Sequence, residues 1–270
     1  MNNKLLVFIG GGNMAQALIG GALKAGQAPS DILVIDPNAE QRARCEATLS
    51  VRTKAEITDQ IEHASLLVLA VKPQVMSQAL ATLAPCLGKT SVVVSVAAGV
   101  TLTALAAQLP ENQPVVRAMP NTPALYGAGI TGLVASTTCS GDHRALAEGL
   151  LRGAGKCVWL DDEALMDAVT AVSGSGPAYF FRFVEALAQA GENAGLPSEV
   201  ARTLARETAT GAGIMLARSE LAAGELRRQV TSPGGTTQAA LEQLEADRLT
   251  DIVDNAVKAA VRRGQELGKG

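Results

Sequence analysis

Residues 4–15 read Lys-Leu-Leu-Val-Phe-Ile-Gly-Gly-Gly-Asn-Met-Ala, an apolar run that enters three glycines and leaves into the helical stretch Gln16 to Ala25. Gly10 and Gly12 occupy the first two positions of G-x-G-x-x-G/A, and Ala15 the third, where a small residue suffices for close packing of helix on strand. Glycine has no Cβ, so the backbone can turn sharply there and leave its N–H groups bare at the positive end of the following helix. A pyrophosphate fits that place. A second apolar run, Ile32 to Ile35, ends in the acid Asp36, which completes the outline of a dinucleotide-binding unit. The competing reading, a tight turn without a ligand, needs less flexibility than three consecutive glycines provide.

Outward from this unit, apolar strand candidates follow at Leu66 to Ala70, Val92 to Val96, Val115 to Ala118, Ile130 to Val134 and Cys157 to Leu160, with helical stretches between most of them. The first several are continuously apolar, as expected when helices cover both faces of a parallel sheet. The fold class is therefore α/β, a doubly wound sheet. After residue 161 strand signals stop and the chain becomes rich in Ala and Leu at helical spacing, with Tyr179, Phe183 and Leu187 on one face. Two domains are expected, 1–161 and 162–270, joined through a helix that begins near the acids Asp161-Asp162-Glu163. A helical region this apolar leaves faces uncovered as a monomer, so it is expected to pack against a copy of itself.

The composition narrows the partners. With 47% hydrophobic but only 3% aromatic residues, the interior is built from small aliphatic side chains, and a net charge of −3 without basic clusters offers no footprint for nucleic acid. A small metabolite is the expected partner. Cys45, Cys86, Cys139 and Cys157 lie far apart from one another and from His63 and His143, so neither a metal cage nor a redox pair is written here. Unpaired cysteines and the lack of a signal-peptide pattern lead us to expect a cytoplasmic protein. Thr90 to Pro110 carries no charge, but its β-branched run, its turn at Ala97-Ala98-Gly99 and its helical end read as strand, loop and helix and not as a membrane span.

In an open α/β sheet the ligand lies beyond the carboxyl ends of the strands. There stand Gly10 to Ala15, Asp36, Ala70-Val71-Lys72-Pro73, Val96-Ala97-Ala98-Gly99 and Met119-Pro120-Asn121-Thr122-Pro123, a set that suits a flat cofactor. Lys72 either contacts that cofactor or caps the surface. In the helical region, Ser232-Pro233-Gly234-Gly235-Thr236-Thr237 reads as an N-cap, a first helical proline and two glycines in the first turn, opening a long helix toward Leu267. Each of those glycines costs about 1 kcal/mol relative to Ala. One reading is a carboxylate site built from bare N–H groups and the hydroxyls of Thr236 and Thr237; the other is close helix packing. Ser173-Gly174-Ser175-Gly176-Pro177 interrupts a helical pattern, as a hinge or as a ligand contact.

Together with Ala-Val-Lys-Pro (70–73), Val-Ala-Ala-Gly-Val (96–100) and Arg-Ala-Met-Pro-Asn-Thr-Pro (117–123), these motifs resemble those of pyrroline-5-carboxylate reductases, over essentially the whole chain. The resemblance implies a Rossmann-type domain followed by an all-α dimerisation domain, and NADPH- or NADH-dependent reduction of a cyclic C=N bond as the last step of proline biosynthesis. It implies dimers, often five to a ring, with the active site completed by the partner's Ser232 to Thr237 segment. By the same resemblance, Ile9, Gly10, Gly11, Gly12, Asn13, Met14, Asp36, Ala70, Val71, Lys72, Pro73, Val96, Ala97 and Ala98 line the cofactor, with Gln229 reaching it from the partner. Glu163, Ser232, Gly234, Gly235, Thr236 and Thr237 lie at the substrate, with Thr237 as the catalytic residue. Its hydroxyl hydrogen-bonds the imine nitrogen, and the proton comes from solvent or is already on the iminium, because a hydroxyl is a poor general acid.

Cofactor choice stays open at this stage. Asp36 argues for NADH, since an acid there binds a ribose 2′-hydroxyl and repels a 2′-phosphate. Many members of the family use NADPH, and Asn38 or Arg42 would be placed to meet a phosphate if Asp36 turned aside, so both cofactors are expected to be accepted. Two other classes compete. A keto- or hydroxy-acid reductase of the same plan would carry a Lys or His acid/base in the helical region, yet Leu165 to Gly224 contains neither. A non-catalytic dinucleotide sensor leaves the glycine-threonine segment unexplained.

Overall fold

The computed structural model describes residues 5–57 and 59–268. Its first compact unit runs to Ser175 and takes back the chain from Ala260; the second is Gly176–Ala259. The compact units thus divide past the change in sequence character at residue 161.

The first unit is built on one eight-stranded sheet: β1 (Leu5–Ile9), β2 (Ile32–Ile35), β3 (Arg52–Lys54), β4 (Ala64–Leu69), β5 (Val92–Ser95), β6 (Val115–Met119), β7 (Gly129–Ala135) and β8 (Gly155–Trp159), in the order β3-β2-β1-β4-β5-β6-β7-β8. From β3 to β6 every pairing is parallel. Successive residues of β1 enter different cores: Leu6 and Phe8 pack with α1 (Asn13–Lys24), α2 (Ala39–Leu49) and α5 (Gly141–Arg152). Val7 and Ile9 face α3 (Met76–Leu83) and α4 (Leu102–Ala106). Burial on both faces is why these strands are apolar without alternation.

Two features depart from the sequence expectation. The short β3, Arg-Thr-Lys, was not anticipated, because an exposed three-residue edge strand carries charge and offers no apolar run. Strand β7 runs antiparallel to β6 and parallel to β8, so the sheet is mixed. A parallel return requires a crossover of about a dozen residues or more, and the connection 120–128, containing the 3-10 turn Thr122–Tyr126, is too short to supply one. The uncharged stretch from Thr90 folds as β5, a loop and α4, and no helix among the described residues is long and apolar enough to cross a membrane.

After β8 the Asp162 carboxylate accepts the Ala164 N–H at 2.8 Å and starts the turn Glu163–Leu165. A four-residue helix, α6 (Met166–Val169), and a π-helical turn over Thr170–Gly174 follow. Asn121 Nδ2 donates to the Ser173 carbonyl at 3.0 Å while its Oδ1 accepts the Ile130 N–H, so the Ser173 segment is fastened to the sheet. The second unit contains α7 (Gly176–Asn193), α8 (Ser198–Arg218), α9 (Ala223–Gln229), α10 (Thr236–Ala246) and α11 (Leu249–Leu267), whose last turns belong to the first unit.

Candidate dinucleotide and substrate sites

The glycine loop has the geometry its sequence implies. Gly10 sits at φ +98°, and a Cβ there would stand 2.7 Å from the Ala70 carbonyl oxygen. Gly12 is the N-cap of α1, without a side-chain cap, without an acid in the first turn and with open space where a Cβ would stand. Bare N–H groups, a helix N-terminus and room for a group denser than a methyl make a fit for a diphosphate. Beside the loop, beyond the carboxyl ends of the strands, opens a cleft of about 700 Å³.

Of the expected cofactor residues, Ile9, Gly10, Gly12, Asp36, Ala70, Val71 and Lys72 line this cleft. Gly11, Asn13, Met14 and Pro73 belong to the same turns without forming its wall. Gly11 is buried against the Cys45 thiol and the Asp36 carboxylate. Val96, Ala97 and Ala98 follow β5 further along the same sheet edge, with the Val96 N–H donating to the Leu69 carbonyl at 3.1 Å. The wall also includes Gln41, Ala55, Glu56, Ile57, Gln78 and Thr82. Ala55 to Ile57 escaped the sequence reading along with β3, since loop residues are found by first locating the strand that delivers them.

The acid at the end of β2 is tightly held. Its Oδ2 accepts the Gly11 N–H at 2.7 Å and its Oδ1 the Asn38 N–H at 2.8 Å. Asn38 is itself occupied as N-cap of α2, accepting from the N–H groups of Glu40 and Gln41. Arg42 Nη1 donates to the carbonyls of Asp36 and Pro37 at 2.8 and 2.9 Å. Beneath the loop, burial first and the Asp36 and Glu46 charges second push the Cys45 thiol up, so it packs as a neutral group.

Glu163 lies in the first unit, where its Oε1 accepts Arg117 Nη1 at 2.7 Å and the Leu102 N–H at 2.8 Å. Arg117 is almost fully buried on β6, whose register sets it beside Ser95 of β5. The carboxylate therefore fastens the start of α4 to the sheet.

In the second unit the Ser232 to Thr237 segment differs from the sequence expectation. Ser232 is not the N-cap: residues 232–235 form a turn, with the Gly235 N–H donating to the Ser232 carbonyl at 3.0 Å, and α10 starts at Thr236 with Gly235 as its uncapped N-cap. Gly234 stands at φ +70°, a conformation that favours glycine. The expected first-turn penalty does not arise, because both glycines precede the helix. Nor does one helix continue to Leu267, since the chain breaks at Asp247–Arg248, with Arg248 at φ +59°. Gly235 caps α10 without a side chain, no acid stands in the first turn, Thr236 and Thr237 are its first two residues, and the Gly234 N–H just before it donates to Gln238 Oε1 at 2.8 Å. Gln229 is the exposed last residue of α9.

A doubly wound sheet with a glycine loop at its first strand–helix turn, followed by a helical region, defines a Rossmann-type dinucleotide-binding protein. Residues 5–99 match the family described as NADP oxidoreductase, coenzyme F420-dependent, and residues 163–267 match pyrroline-5-carboxylate reductase dimerisation. The pyrroline-5-carboxylate reductase of Pseudomonas aeruginosa is 44% identical over 269 residues, covering 100% of this chain and 98% of that one. A solved pyrroline-5-carboxylate reductase from Coxiella burnetii superposes with a TM-score of 0.95 at 38% identity, each chain covered completely. The Plasmodium falciparum enzyme, solved with NADP bound, gives 0.84 at 28% identity over 99% of each chain. The chain belongs to the pyrroline-5-carboxylate reductase family and carries that family's dimerisation domain.

Proposed function

We propose that this protein reduces 1-pyrroline-5-carboxylate to L-proline with NADPH or NADH, as a homodimer or an assembly of such dimers. Its place of work is the cytoplasm, in keeping with its four unpaired cysteines. The observation that carries the activity is the glycine-loop cleft, a positive-φ turn feeding an uncapped helix start in a chain of this family. The dinucleotide-binding domain is assigned to 1–161 and the substrate and dimerisation domain to 162–270.

A bound reduced nicotinamide supplies the hydride for the imine carbon. The N–H groups of Gly12, Asn13 and Met14 offer donors for the diphosphate, Ile9, Gly10 and Gly11 shape the floor, and Asp36 meets the ribose. Ala70 to Pro73 and Val96 to Ala98 form the edge along which the rest of the cofactor lies, with the partner's Gln229 completing it. The start of α10, supplied by the second copy, holds the substrate carboxylate through the N–H groups of Thr236 and Thr237 beside Gly235. Ser232 and Gly234 shape that turn, and Glu163 borders the substrate through its remaining oxygen. Anchoring the carboxylate orients the imine face. The Thr237 hydroxyl hydrogen-bonds the imine nitrogen without acting as its acid.

The test follows nicotinamide absorbance with pyrroline-5-carboxylate and each cofactor, and identifies the product. Consumption of cofactor with formation of proline is expected. Tight cofactor binding with no turnover would instead support the sensor reading.

A further inference from the structure

We propose that the fixed Asp36 carboxylate makes this chain select NADH over NADPH. The inference rests on the cleft beside Gly10 being the cofactor site. An acid at the end of the second strand excludes a 2′-phosphate only if it stays in place, and two hydrogen bonds hold it there. Its two oxygens accept the Gly11 and Asn38 N–H groups, at 2.7 and 2.8 Å, one from the glycine loop and one from its own turn. Gly11 is buried beneath the carboxylate, so turning Asp36 aside deprives its N–H of the acceptor that now satisfies it. The amide of Gly11 also belongs to the loop that shapes the diphosphate site, so the loop and the acid hold each other.

Each carboxylate oxygen keeps a lone pair after these contacts and can accept from a ribose hydroxyl. A 2′-phosphate offers no donor when ionised and brings a charge of about −1.5 to −2.

The groups able to offset that charge are committed elsewhere. Arg42 donates to the Asp36 and Pro37 carbonyls, and the Asn38 side chain caps α2. Lys72, the one cation lining the cleft among the described residues, follows β4. Strand β1 lies between β4 and β2, which puts the two loops about 10 Å apart by strand spacing. On the other side of β2, the loop after β3 adds a second carboxylate to the same wall, Glu56.

The experiment is calorimetric titration of the full-length protein with ADP-ribose and with 2′-phospho-ADP-ribose, beside kcat/KM for NADH and NADPH. ADP-ribose is expected to bind on the order of ten- to a hundredfold more tightly, with the cofactors in the same order. Asp36→Asn keeps an acceptor for the Gly11 N–H and removes the charge, so it should bring the two affinities within a few-fold by improving the phosphorylated ligand. Glu56→Gln, at an exposed position, should shift the ratio the same way by a smaller factor. Equal or tighter binding of 2′-phospho-ADP-ribose by the wild type overturns the proposal, as does an unchanged ratio in both variants. Failure of both nucleotides to bind overturns the cleft as cofactor site, and the selectivity with it.

Discussion

At Gly10 a single missing carbon decides the site. The residue adopts φ +98°, and the nearest obstacle to a Cβ is backbone, the Ala70 carbonyl oxygen at 2.7 Å, which cannot rotate away as a side chain would. Gly10→Ala is expected to lower stability by about 2–4 kcal/mol and to abolish nucleotide binding, read by urea denaturation and by titration with ADP-ribose. Thr237→Ala touches a different step. It leaves the helix start intact and removes one hydroxyl, so kcat/KM should fall roughly 10- to 1000-fold with cofactor affinity nearly unchanged. Wild-type turnover in that variant would remove Thr237 from the mechanism. Burial, with the Glu148 charge second, pushes the Cys157 thiol up to about 11 from its usual 9.0. The unfolded chain therefore loses this proton at lower pH than the native one, so the contribution is full below pH 9 and disappears as pH rises through 11. Cys157→Ser should flatten that alkaline decline in denaturation curves recorded across the interval. Residues fixed by local spacing, such as Gly10 and Gly12 of the strand–helix turn, were legible in the sequence. The clamp on Asp36 was not, since its partner Gly11 is 25 positions away.

Elements with a strong apolar signature were equally legible, and those shaped by context were not. Strands β1, β2, β4 and β5 declare themselves because burial on both faces leaves no polar position in their centres. Strand β3 is hidden by its charges, and the direction of β7 follows from the reach of the preceding loop, a length argument that hydrophobic pattern does not carry. The Ser232 to Thr237 segment shows how a capping pattern misplaces a helix start: Ser-Pro suits an N-cap, but the positive φ of Gly234 turns the chain before the helix can begin. The tie between Arg117, Glu163 and the first residue of α4 joins three elements far apart in sequence and had no local signal. Its energetics are testable. Arg117 is 5% exposed, so Glu163→Ala strands a buried cation and frees the Leu102 N–H, at a cost of about 3 kcal/mol. Arg117→Met combined with Glu163→Gln removes both charges and keeps an acceptor for Leu102, and should recover more than half of that loss in urea titrations. Equal destabilisation in the single and double variants would mean that the ion pair contributes nothing beyond packing.

On the scale of the molecule, the two ends of the chain bury their apolar surface differently. The sheet unit encloses its own core, whereas α7 presents Phe180, Phe181 and Phe183 at 72%, 65% and 52% exposure, and α8 and α11 add exposed Leu204, Ile214, Ile252 and Val253. Each phenylalanine gains roughly 1.5–3 kcal/mol on full burial. Leaving several uncovered on these helices is a cost that one copy of the chain cannot avoid and that pairing with a second copy would relieve. Such a dimer is more than a means of stability, because the bare start of α10 lies in the same helical unit and is proposed to serve the partner's cleft. Folding, assembly and catalysis should then share one dependence on protein concentration. Light scattering should give a mass of two chains or a multiple of two, and Tm should rise as concentration increases. Phe181→Asp places a charge on that face and should shift the protein toward monomers, lowering Tm and turnover together while ADP-ribose binding to the intact cleft persists. Full turnover by a species shown to be monomeric would separate assembly from catalysis and return the substrate site to a single chain.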